Sequence, residues 1–114
     1  MALCTIVHGR YWYTKVLWLT LVVTNQRAGC GVLLEGSVDM ADARRRLGAD
    51  QAVQGNMDPV TLFAGQDFIT KKVHDTIEKA GNRKHVMNLG HGVMVGTPEE
   101  NVAHFFKTVQ DYRY

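Results

Sequence analysis

The sequence predicts an α/β fold with a parallel sheet, assembled from about two to three strand–loop–helix units, and three observations predict it. Two short apolar runs, "QAVQGN" at 51–56 and "HVMNLG" at 85–90, break off at Gly, Asn, Asp or Pro instead of continuing at helical spacing, which is the behaviour of buried strands. Each run is followed by one clear helical pattern, where a helical-hairpin repeat would have two. The unit also recurs: aligning Val53 with Met87 brings Gly48 close to Gly81, an interval of about 33 residues.

Composition sets the scale. A chain of 114 residues with 46% hydrophobic and 21% charged residues is one ordinary globular domain with a modest core. The net charge of +2 is scattered. Apart from Arg44, Arg45 and Arg46 there is no basic stripe, so nucleic acid is not an expected partner. Cys4 and Cys30 stand far apart and outside any CxxC or Cys/His spacing. Both thiols are expected to be free, in a reducing compartment, with no structural zinc.

The N-terminal third, 1–37, reads as an apolar segment followed by a linker. Within "YWYTKVLWLTLVV" at 11–23, Lys15 leaves an uncharged run from Val16 to Val23, far short of the ~20 apolar residues of a membrane span. A secretory signal fits the preceding Arg10 and Lys15, but "TNQRAGCG" makes a poor cleavage site. A β-strand is the preferred reading of 11–23, and "NQRAGCG" at 25–31 reads as a turn-rich linker.

Three helices follow from their end signals. In "DMADARRRLG" Asp39 can cap, Met40, Ala43 and Leu47 share a face, and Gly48 is the stop. The second runs from about Asp67 to Ala80, burying Ile69, Val73, Ile77 and Ala80, with Gly81 beyond its end. The third opens on "TPEE", predicting Thr97 as the cap, Pro98 at the first helical position and Glu100 closing a capping box, with Val102, Phe105, Phe106 and Val109 inward.

Between the last strand and the last helix lies "LGHGVMVGTP". In parallel α/β folds ligands sit beyond the carboxyl ends of the strands, and a loop leading to a helix N-terminus often holds an anion. Gly90 and Gly92 would let backbone approach a ligand, and His91 can offer an N–H or a positive charge. These residues suit a carboxylate or phosphate. The alternative is a histidine that fills a tight turn and bonds a carbonyl.

The stretches "RRRLGADQAVQGNMDPVTLF" and "KAGNRKHVMNLGHGVMVGTPEENVAHFFKTVQDYRY" resemble the C-terminal part of uroporphyrinogen decarboxylases, the plant, plastid-type enzymes above all. The resemblance runs over 38–114, and "QGNMDP" together with "NLGHG…GTPEENV" carries it. It implies the C-terminal fragment of a TIM (β/α)8 barrel from a homodimeric enzyme that uses neither metal nor organic cofactor. That enzyme removes four acetate carboxyls from uroporphyrinogen to give coproporphyrinogen, in haem and chlorophyll synthesis. Of the family's site residues only the histidine of the "GHG" loop maps here, as His91, implied to bond a substrate carboxylate. No catalytic residue is assigned.

Other candidates are set aside on their surroundings. Arg10 and Arg27 do not stand in the family's arginine-rich setting, and Asp58 before Pro59 reads as a turn residue that bonds local backbone. His74 and His104 are expected to be solvated on helix faces, and His85 to open a strand without a partner. The segment "RAGCGVLLEGS" stands where the family places another strand. Because a full barrel takes roughly 250 residues, the chain is expected to be a truncated form, inactive alone. The alternative is a non-catalytic interaction module docking on the full-length enzyme, or a remnant that does not fold. No transit peptide is recognised, so a chloroplast location is implied by the resemblance alone. Neither a membrane nor a nucleic acid is an expected partner.

Overall fold

The computed structural model describes residues 32–81 and 84–113; the strand expected at 11–23, the linker at 25–31 and both cysteines lie outside them. In chain order the elements are β1 (Val32–Leu33), α1 (Met40–Leu47), β2 (Val53–Gln54), a 3-10 turn (Pro59–Phe63), α2 (Gln66–Ala80), β3 (His85–Val86) and α3 (Glu99–Asp111). The strands form one parallel sheet in the order β1-β2-β3, so the α/β expectation holds.

The register pairs Val32 with Val53 and Val53 with His85. The sheet thus sets Val53 beside His85, two residues from the repeat's alignment with Met87. The glycines fit the repeat better: Gly48 and Gly81 end α1 and α2 with φ of 85° and 79°, a conformation that a side chain strains. β1 lies just past the linker read at 25–31, within "RAGCGVLLEGS", where a paired strand of two residues leaves no periodic signal.

Alternation along the strands separates two faces. Val32, Leu34 and Val53 are buried under the helices with Met40, Ala43 and Ala80. A second cluster joins Met57 and Leu89 at the strand ends to Ile69, Val73 and Ile77 of α2 and Phe105 of α3. α2 packs on both α1 and α3, and the four inward residues expected at helical spacing, Ile69, Val73, Ile77 and Ala80, are each at most 4% exposed. Burying side chains the size of Ile or Val is worth about 2 kcal/mol each, so α2 is the element that joins the two clusters.

Three expectations about the helices are corrected. α3 begins one residue later than predicted, with Pro98 in the cap position and no side-chain cap bond. Thr97 Oγ1 instead donates to the Met94 carbonyl at 2.7 Å, so its hydroxyl closes the preceding turn and no capping box forms. Glu99 and Glu100 still place acid in the first turn, where the helix dipole favours it. Phe106 is 58% exposed, because the inward stripe of α3 passes through Phe105. His74 and His104 are half-buried where α2 meets α3: His74 meets the Tyr112 ring edge-on with centroids 5.1 Å apart, and His104 Nε2 bonds Thr70 Oγ1 at 2.8 Å.

At the amino ends of the strands, Arg44 of α1 holds three segments together. Its guanidinium donates to the carbonyls of Ala80 at 2.6 Å, Gln51 at 2.5 Å and Lys84 at 3.2 Å. Replacing it leaves carbonyls without a donor and removes the charge that attracts them. Arg44→Met is expected to lower the unfolding free energy by about 2 kcal/mol, read as a lower urea midpoint, while Arg45→Met on the exposed face of α1 changes it by less than about 0.5 kcal/mol.

Candidate functional site

The carboxyl ends of the three strands are drawn together by main-chain bonds that continue past the strands. Gly55 N donates to Val86 O, Met57 N to Asn88 O and Gly90 N to Met57 O, at 3.0, 3.1 and 2.8 Å, and Met57 and Leu89 form a parallel bridge. The loop after β1 is fastened to the same place by Asn56, whose buried amide donates to Glu35 O at 2.9 Å and to Val38 O.

Gly90 explains one part of the "GHG" motif. A Cβ there would stand 2.1 Å from Gly36 N and 2.6 Å from Gly36 Cα, whereas one at Gly92 would meet nothing within 4 Å. The motif by itself suits both glycines to ligand approach. Gly90 is needed instead for backbone to lie against backbone, and the space beside Gly92 is open.

His91 follows directly, and its side chain is exposed. It borders a cavity of about 310 Å³ together with Leu33, Gln54, Asn88 and Val93. Among the described residues no hydrogen bond engages its imidazole. The carbonyl-bound histidine, one of the two roles open to His91, belongs to His85: its Nε2 lies 2.6 Å from Gly55 O, which corrects the expectation that His85 has no partner. Burial pushes the His85 imidazole below its ordinary value; the Gly55 carbonyl works against this and the Arg44 guanidinium with it.

A second cavity, of about 240 Å³, opens between the loops after β1 and β2 and the helices α1 and α2. Its acids already have partners, and Lys72 lies over the Phe68 ring. Lys79 bridges Asp39 and Asp75 at 3.0 Å each, and Asp39 also caps α1 through Asp42 N at 3.0 Å. Lys79 and the Asp42 amide hold the Asp39 carboxyl below its usual value. Asp58 accepts from Val60 N at 2.9 Å, the local backbone bond expected of an Asp-Pro turn. Among the described residues no group of three or more His, Cys, Asp or Glu could hold a metal ion, and no helix there is long and apolar enough to cross a membrane.

The family model described as uroporphyrinogen decarboxylase (URO-D) matches residues 6–112. The chain belongs to the uroporphyrinogen decarboxylase family. It is 60% identical over 89 residues to "Uroporphyrinogen decarboxylase 2, chloroplastic" of Arabidopsis thaliana, covering 77% of this chain and 23% of that protein. It is 59% identical over 83 residues to "Uroporphyrinogen decarboxylase" of Hordeum vulgare, covering 73% and 25%. The protein of the same name in the cyanobacterium Picosynechococcus sp. is 59% identical over 80 residues, covering 70% and 23%. The chain thus spans about a quarter of the length of these curated relatives.

Gln54 and Asn88, which line the cavity beside His91, were not singled out from the sequence. For Gln54 a signal existed: Val53 is apolar within a short strand, so the next residue faces the other way.

Two outcomes follow from the geometry. Gly90→Ala is expected to cost more than about 3 kcal/mol, because backbone must move, and Gly92→Ala less than about 1 kcal/mol, as read by chemical denaturation. His85 contributes a pH dependence with a definite sign. Its folded-state value is depressed, so its contribution to stability is complete above the ordinary value of about 6.5. That contribution is lost as pH falls through the depressed range below it. The unfolding free energy should therefore decline on acidification below about pH 6.5, and His85→Gln should flatten that decline; an unchanged slope in the variant would remove His85 as its source.

Proposed function

We propose that the chain contributes the closing part of a uroporphyrinogen decarboxylase site, with His91 as a hydrogen-bonding contact to a substrate carboxylate. The observation that carries this reading is an exposed imidazole with space in front of it, set in the loop beyond the carboxyl end of a parallel strand. The sequential strand order β1-β2-β3 supports placing these units side by side in a β/α barrel, where neighbouring strands follow one another in the chain. Residues 38–114 are the portion assigned to those units, and of 1–37 the pair Val32–Leu33 joins their sheet as β1. The word "chloroplastic" in the name of the Arabidopsis thaliana relative supports a plastid location.

The chemistry requires more than one contact. Loss of carbon dioxide leaves an electron pair on a methylene carbon, which a pyrrole ring accepts once it has been protonated on carbon. Fixed charge or dipoles must stabilise the resulting cation. His91 does not face that ring in this reading; it orients a carboxylate at the mouth of the site, which promotes reaction by position. The reaction needs neither metal nor organic cofactor, and assembly with further barrel units, as a homodimer or on a full-length enzyme, completes the site.

A non-catalytic interaction module is the second reading, favoured by the sheet face away from the helices, where Val86 is 60% exposed. The deciding experiment is an anaerobic uroporphyrinogen assay on the purified chain, with chromatography of the carboxylated intermediates and size exclusion on the same sample. The isolated chain is expected to yield no coproporphyrinogen; product from clean protein would overturn the dependence on further units. His91→Ala should alter stability by less than about 0.5 kcal/mol while weakening carboxylate binding, and loss of the fold would make the histidine structural.

A further inference from the structure

We propose that Gln54 is a second substrate contact, a neutral amide donor that pairs with one of the ligand's carboxylates beside His91. This rests on the reading of the cavity as a polycarboxylate site and extends it to a residue on the sheet itself.

Register decides which way Gln54 faces. Leu33, Gln54 and Val86 are paired across the three strands, and paired residues of a parallel sheet project from the same face. That face is the one turned away from the helices, since Val32 and Val53 are buried on the other. Gln54 is thus an amide on the middle strand between two apolar neighbours. Among the described residues no hydrogen bond engages its side chain, although its backbone carbonyl accepts from Leu34 N at 2.8 Å.

The cavity in front of it selects the ligand. Its polar side chains are Gln54, Asn88 and His91, with no acid and no lysine or arginine. Asn88 Oδ1 is occupied by Leu89 N at 2.8 Å, which leaves its NH2 as the group on offer. Three N–H donors facing one space, with no carboxylate to compete, suit an acceptor-rich anionic group. A neutral donor also suits an enzyme that must release a less carboxylated product, because it discriminates by geometry without the long-range pull of a full charge.

The test titrates the intact 114-residue chain with uroporphyrin, the stable oxidised form of the proposed substrate, following porphyrin fluorescence. Gln54→Leu, Gln54→Glu and His91→Ala are titrated in parallel, with circular dichroism to establish that each is folded. Gln54→Leu is expected to raise Kd about tenfold, the weight of one hydrogen bond to a charged group, and Gln54→Glu to raise it further, because like charges then face each other. Binding that weakens in His91→Ala but survives unchanged in both Gln54 variants would overturn the Gln54 contact and leave the histidine reading standing. The reverse pattern would keep Gln54 and remove His91. Failure of the unaltered chain to bind uroporphyrin would overturn both.

Discussion

The site end of this structure depends on one close approach: the backbone of Gly90 lies against that of Gly36, over the end of the middle strand. The loops after β1 and β3 flank β2 and would ordinarily be kept apart by it. Here the β2 end is bound from both sides, by Gly90 N to the Met57 carbonyl and by the Asn56 amide to the carbonyls of Glu35 and Val38. With no room for a Cβ at position 90, the three loops form one rim, and the residue after Gly90 is held at its edge. That residue is His91. The glycine's role is therefore steric, and the histidine's position is a consequence of it.

The sheet serves two environments. Its helix side is closed by apolar side chains from α1, α2 and α3, and its amino end is pinned by Arg44. Its other side bears Leu33, Gln54 and Val86. In a sheet buried on both faces the strands would read as continuous apolar runs. The glutamine at position 54 departs from that pattern on the middle strand, and such local departures from foldability are where function is to be sought.

Four histidines lie among the described residues, and their surroundings divide them. His74 and His104 are helix-packing residues, joined to Tyr112 and Thr70. His85 is a structural strand residue whose burial favours the neutral ring. His91 alone borders the open cavity at the strand ends. In the proposed function, a substrate carboxylate is the group that meets it.

The sequence by itself determined the elements: helix ends at Asp39, Gly48 and Gly81, the inward stripe Ile69, Val73 and Ile77, the two strands after 51 and 85, and the family through "QGNMDP" and "NLGHG". These are local properties, in which a cap, a left-handed glycine or a helical period is complete within a few residues. Tertiary structure alone decided the rest. β1 becomes a strand only because β2 offers its edge, Thr97 caps a turn and not the helix, and Phe106 falls outside the stripe that Phe105 fills. Gln54 faces the cavity because register sets it beside Leu33 and Val86, and Gly90 is indispensable because Gly36, far away in sequence, stands where its side chain would be. Contacts of this kind join residues that share no local period, so no reading along the chain contains them.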